Sequence, residues 1–212
     1  MEDAMKSLPG HAGWVAAVLF LLAVSGFGAA LGGYSQLHMP VALLGAKGFP
    51  HALAFNLMAF VIPGMLAGVV AMVLRRCLPT GAGWSLRIGA QLVLLSALAF
   101  IAMGLLPLDP NDLENAGSRL HGTAWMLWTV AFVPGAVLLG AGLLACRAAR
   151  RFAWLCLVVA AAVLLAGFVF TEFMPAGLAQ RLAFGTWLLW VAIAGRVRLE
   201  RAQSERPARG TK

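Results

Sequence analysis

Residues 105–125, LLPLDPNDLENAGSRLHGTAW, crowd Asp109, Asp112, Glu114, Arg119 and His121 between two long apolar runs. The run before ends at Pro107, and the run after carries no charge as far as Arg147. Each is about 20 residues, enough at ~1.5 Å per residue to cross a ~30 Å hydrocarbon core. The stretch therefore reads as an aqueous connection between two transmembrane helices. The same alternation of oil and short polar breaks recurs along the whole chain.

Working outward, six spans are expected, at about 14–31, 51–74, 87–106, 121–145, 152–172 and 177–195. Arg75-Arg76 ends the second, and Pro79-Thr80-Gly81 makes the turn after it. Arg150-Arg151 opens the fifth. The last apolar stretch, 182–194, is too short alone. It must begin near Gly177, which draws Gln180 and Arg181 into its first turn. The first run competes with a signal peptide, but signal cores are only about 7–15 residues. A retained helix is expected, after a polar segment 1–13 and with a basic tail at 198–212. All of 14–197 forms one domain.

Composition agrees. Of 212 residues, 61% are hydrophobic and 11% charged, and the mean hydropathy is +0.87. Soluble chains carry about 25% charged residues, so a soluble domain is excluded. The net charge of +8 comes from short clusters between apolar runs, which argues against nucleic acid. Cys77 and Cys146 flank arginine clusters and Cys156 lies in an apolar run. No CxxC spacing exists, and the three are expected to be reduced and structural.

Lysine and arginine set the orientation. One lies in the amino-terminal segment, three between spans two and three, three between spans four and five, and six in the tail: thirteen of sixteen. Only Lys47, Arg119 and Arg181 fall at the other end. The positive-inside rule then puts both termini in the cytoplasm, and in a bacterial inner membrane the other loops face the periplasm.

The even-numbered spans open with HALAF (51–55), HGTAW (121–125) and QRLAF (180–184). Spans two and four also share AFVIPG (59–64) and AFVPG (131–135). Such matches suggest stacked helical hairpins.

With its six spans, YSQ (34–36), FN (55–56), LPLD (106–109) and RLHG (119–122), the chain resembles the bacterial membrane family known as domain of unknown function 998. The resemblance covers about 14–197. It implies a fold and a location but no activity.

The candidate chemistry collects at the periplasmic end: Tyr34, Gln36, His38, His51, Asn56, Asp109, Arg119, His121, Glu172, Gln180 and Arg181. His51 and His121 open neighbouring helices. With Asp109 they offer two imidazoles and a carboxylate, a common zinc set that leaves room for water. A haem between the two histidines is a further reading, and so are simple helix capping and headgroup contact. Glu172 closes an apolar run, where a carboxylate costs a few kcal/mol if it faces lipid. Arg181 is its expected partner across the loop, either as a structural ion pair or as part of a ligand site. Arg119 with Arg181 could hold a phosphate. Asn56 lies about five residues below His51 and reads as interhelical glue or as the floor of a cavity. Pro63 and Pro134 are expected to kink their helices.

Three functions follow. The first is binding, with or without translocation, of a lipid headgroup or small anion by Arg119, Arg181, Glu172, Asn56, His51 and His121. The second is a metal-assisted hydrolase or transferase acting on a lipid or envelope precursor, with Glu172 or Asp109 as catalytic carboxylate. The third is an accessory subunit. Against translocation, the cytoplasmic half offers few polar residues beyond Gln91.

Overall fold

The computed structural model describes residues 2–197; the basic tail 198–212 lies outside them. The described residues contain no strand. They form six helices long and apolar enough to cross a membrane: α1 (Glu2–Ala30), α2 (Ala52–Arg76), α3 (Trp84–Leu105), α4 (Ala116–Leu143), α5 (Arg147–Glu172) and α6 (Ala176–Ala194). This is an all-helical, multi-pass membrane protein. Its outer surface agrees, since Leu53 is 74% exposed and Val158 61%. In water such faces would drive aggregation, whereas in lipid they are solvated.

The helices close into a ring. Each packs on its neighbours in the chain, α1 meets α6, and α2 also touches α6. An even number of crossings brings both termini to one end of the bundle, the terminal end. The α1–α2, α3–α4 and α5–α6 connections lie at the other, the loop end.

A knot of buried aromatics fills the middle. Phe100 of α3 lies 4.5 Å from Trp187 and 5.4 Å from Phe184 of α6, centroid to centroid. Phe20 of α1, Phe60 of α2 and Trp128 of α4 join the same cluster. Tilted and edge-on pairs of this kind contribute about 0.5–1.5 kcal/mol each beyond area burial. On α5, Phe152 stacks on Trp190, whose Nε1 donates to Cys156 Sγ at 3.3 Å. Thus all six helices feed one core.

The repeated pentapeptides supply part of it. Trp125 and Phe184, equivalent positions of HGTAW and QRLAF, meet at 5.2 Å, and Phe55 of HALAF reaches the cluster through Phe60. The two proline motifs behave differently. Pro63 has no N–H to donate to the carbonyl four residues back, and the helix widens into a π turn at Leu57–Val61 just ahead of it. Pro134 sits inside α4, which stays α-helical from end to end. A second π turn, Leu165–Val169, arises in α5 without proline and runs into the 3-10 turn Phe170–Glu172.

Three helix starts differ from the hydropathy reading. The polar lead is itself helical from Glu2, and α3 begins at Trp84 rather than Arg87. Most consequential is α4, which starts five residues before His121 because Asn115 caps it. The Asn115 Oδ1 accepts the Ser118 N–H at 3.0 Å, satisfying one of the orphan donors at a helix start. Arg119 and His121 are therefore carried inside a helix rather than at its entrance.

Candidate functional site

The loop end is a cap built from residues 31–51. This connection is not a slack aqueous loop. Its 3-10 turn Val41–Gly45 buries Val41, Leu44 and Gly45, and Ala46 beside it is fully buried.

Backbone groups pulled into a bundle need partners, and side chains from distant helices supply them. Arg181 of α6 does most of this. Its Nε donates to Gln36 Oε1 at 3.1 Å, and Nη2 donates to the same oxygen at 2.8 Å and to the Tyr34 hydroxyl at 2.6 Å. Nη1 donates to the carbonyls of Met39, 3.0 Å, and Gly177, 2.7 Å. Five hydrogen bonds match the five N–H groups of a guanidinium. Every acceptor is neutral. The guanidinium also lies 5.7 Å from the Tyr34 ring centre.

The neighbouring side chains complete the clamp. Gln180 Oε1 accepts the Val41 N–H at 3.0 Å, Gln36 Nε2 donates to the Val24 carbonyl at 3.0 Å, and the Leu178 N–H donates to the Leu37 carbonyl at 2.9 Å. Gly177 has to be glycine, because a Cβ there would run into the Met39 carbonyl oxygen and approach that of Leu37 to 2.8 Å. Asn56, buried, donates from Nδ2 to the Gly45 carbonyl at 2.8 Å. It holds the cap to its own helix rather than joining two helices.

Tyr34 is the only tyrosine in the chain. Burial pushes its phenol above the ordinary value of 10, with Arg181 pulling the other way. A folded-state pKa raised above the unfolded one means a contribution present below pH 10 and lost as pH rises beyond it. Absorbance at 295 nm therefore reads this residue alone. The expected midpoint lies above 10 in the folded protein and near 10 after unfolding.

His121 serves the end of α3. Its Nδ1 lies 2.9 Å from the Leu106 carbonyl and 3.1 Å from that of Met103, acceptors that a helix C-terminus leaves open. Carbonyls only accept, so Nδ1 carries the proton. The acids of the α3–α4 connection are similarly occupied. Asp109 Oδ1 accepts the Asn111 N–H, and Asp112 Oδ1 accepts those of Glu114 and Asn115. Ser118, which sequence reasoning passed over, donates to the Asp112 carbonyl and accepts the Asp109 N–H.

Two expected groupings are therefore not assembled. His51 is exposed and stands before α2 with a left-handed backbone, φ 58°, while His121 lies within α4. Among the described residues no three His, Cys, Asp or Glu side chains come together as a metal site needs, so His51, His121 and Asp109 do not form the anticipated zinc set. Glu172 is exposed at the end of α5, and Arg181 spends its donors elsewhere. The Glu172–Arg181 pair does not form, nor does Arg119, exposed on α4, join Arg181.

Among the described residues, three hollows bear on a site. One, about 280 Å³, runs between α1 and α6 beneath the cap, with Phe20, Leu21, Val24 and Leu37 as walls and Arg181, Gln36 and Ser25 as polar lining. The Ser25 hydroxyl makes no hydrogen bond among the described residues; nothing in its apolar run marks it out. A second, also about 280 Å³, is walled by α2, α3, α4 and α6 and includes His121 and Gln180. A third, about 480 Å³, lies at the terminal end between Arg75, Thr80, Arg87 and Gln91. Gln91, the polar residue expected in the cytoplasmic half, lines this third hollow.

A family model described as a protein of unknown function, DUF998, matches residues 15–197. The chain belongs to that family. No curated protein and no solved structure matches it. The match covers α1 from residue 15, the other five helices of this DUF998 chain and the whole clamped cap, so the loop end lies inside the family's own domain rather than in an addition to it.

Proposed function

We propose that this DUF998 protein binds an anionic lipid, holding the headgroup at Arg181 and the first part of the chain along the α1–α6 hollow. One observation carries the reading. Arg181 is a half-buried cation with five hydrogen bonds to four neutral acceptors and no carboxylate among the described residues, placed at the head of an apolar trough. At an effective dielectric of about 20, a counter-charge 4 Å away is worth roughly 4 kcal/mol. The guanidinium donors are filled, so the headgroup is held by charge. The Ser25 hydroxyl supplies the hydrogen bond. A polar side chain facing lipid is costly without a partner, and a phosphate oxygen is a suitable one.

The membrane assignment follows the same logic. Among the described residues, Lys47, Arg119 and Arg181 are the only lysines and arginines at the loop end. In a bacterial inner membrane the positive-inside rule turns that end to the periplasm and leaves both termini in the cytoplasm. The bound lipid then belongs to the outer leaflet.

Native mass spectrometry tests this on protein taken from vesicles of mixed phosphatidylcholine and phosphatidylglycerol. Phosphatidylglycerol is expected to be retained in preference. Ser25→Ala, on an exposed position, should weaken that retention about tenfold, as one hydrogen bond to a charged group predicts. Equal retention of both lipids, or a Ser25→Ala protein that behaves like wild type, would remove the basis for the proposal.

A further inference from the structure

The second hollow is separate from the Arg181 groove and has its own chemistry. Aromatic and thioether groups from four helices wall it: Phe60, Met103, Trp125 and Phe184. Besides the Trp125 indole, whose N–H is a donor, two polar side chains line it, His121 and Gln180, and hydrogen bonds on the far side of each fix what they present.

His121 keeps its proton on Nδ1, against the Met103 and Leu106 carbonyls. Its Nε2, across the ring, has no partner among the described residues. In the neutral imidazole that atom is a lone-pair acceptor. Gln180 accepts the Val41 N–H, which only an oxygen can do, so the Oε1 assignment stands. Its amide nitrogen, also without a partner among the described residues, is the donor left over. His121 and Gln180 therefore offer one acceptor and one donor within an aromatic wall.

From this pairing we infer that the hollow binds a compact apolar alcohol, whose hydroxyl donates to His121 Nε2 and accepts from the Gln180 amide. A hydrocarbon would leave both groups unsatisfied. A ketone accepts from Gln180 but meets the imidazole lone pair with another lone pair, and a carboxylate does the same while adding charge. Only a hydroxyl matches both. The volume, about 280 Å³, sets the size at roughly nine non-hydrogen atoms, at ~30 Å³ for each water-sized group. A ten-carbon isoprenoid alcohol, or the hydroxyl end of a longer one, is of that order.

The probes are geraniol, its hydrocarbon counterpart myrcene and its acid counterpart geranic acid. Each is titrated into the full-length protein in phosphatidylcholine nanodiscs with ¹⁵N-labelled histidine. Geraniol is expected to shift one Nε2 resonance among the four histidines and to change tryptophan emission, both saturably. Myrcene and geranic acid should do neither.

Two near-isosteric variants separate binding from folding. His121→Asn retains an N–H donor for the α3 carbonyls and lacks Nε2. Gln180→Glu retains the acceptor for Val41 and lacks the amide donor. Each should weaken geraniol about tenfold, the loss of one buried hydrogen bond. If His121→Asn fails to fold, Gln180→Glu decides alone. Equal binding of myrcene, preferential binding of geranic acid, or wild-type affinity in the folded variants would overturn the assignment.

Discussion

Arg181→Ala is expected to free the cap over 31–51 and to lower stability by about 2.5 kcal/mol, from four helix-to-cap hydrogen bonds at roughly 0.6 kcal/mol each, the fifth bond lying within α6. Two measurements check it. Thermal unfolding in mild detergent should shift down. Trypsin should cut after Lys47 far faster than in wild type, where the Lys47 N–H is tied to the Leu108 carbonyl at 2.9 Å. Arg181→Lys distinguishes charge from shape. An ammonium keeps the cation but has three donors on one atom, and it cannot reach Gln36, Tyr34, Met39 and Gly177 together. The lysine variant should therefore resemble the alanine variant in proteolysis and the wild type in anionic-lipid preference. A wild-type rate of cleavage in both would mean that the cap does not depend on Arg181.

The second large effect belongs to the α3–α4 crossing, the most extensive helix pair in the bundle. Gly89 and Gly135 face each other there. A Cβ on Gly89 would stand 2.8 Å from the Gly135 carbonyl oxygen, and one on Gly135 would stand 2.9 Å from Leu92 Cβ and 3.1 Å from the Gly89 oxygen. These are backbone contacts that no rotamer change relieves. Small residues of this kind let membrane helices approach closely, where packing must act without a hydrophobic drive between them. Gly89→Val and Gly135→Val should each cost about 3 kcal/mol, the upper end for overpacking. Once one valine has forced the helices apart the second meets less resistance, so the double variant should cost well under the sum. Unfolding by titration with a denaturing detergent gives all three values. Strict additivity would show that the two glycines do not share one contact.

Much of the fold was legible because a bilayer admits few solutions. Apolar runs near 20 residues, separated by arginine pairs, proline and glycine, located six helices with most ends within a few residues. Misplaced ends trace to local chemistry. Asn115 looked like part of an acidic loop, yet its side chain caps α4 and puts His121 inside the helix. The site was less legible for a different reason. Charge matching across a short connection proposed Glu172 for Arg181, but its partners are a glutamine 145 residues away, a phenol and two carbonyls. Carbonyls carry no signature in a sequence, and contacts over such separations are fixed only by the packing of the ring. Asn56 and Gln180 were read as polar, correctly, but their use as pins for a buried connection follows from Gly45 and Val41 being drawn inward. Ser25 had no signal at all within its hydrophobic run.

Ring closure through α1 and α6 has a consequence for biosynthesis. During synthesis α1 meets one of its flanking partners only when α6 is made, so until then one side of it has only lipid or an insertion chaperone for company. Phe184, Trp187 and Arg181 all arrive with that final helix. Nascent chains halted before residue 176 would hold five inserted segments around an unfilled centre, with the 31–51 connection lacking the bonds that Arg181 and Gln180 give it. Closure of the bundle therefore waits for α6.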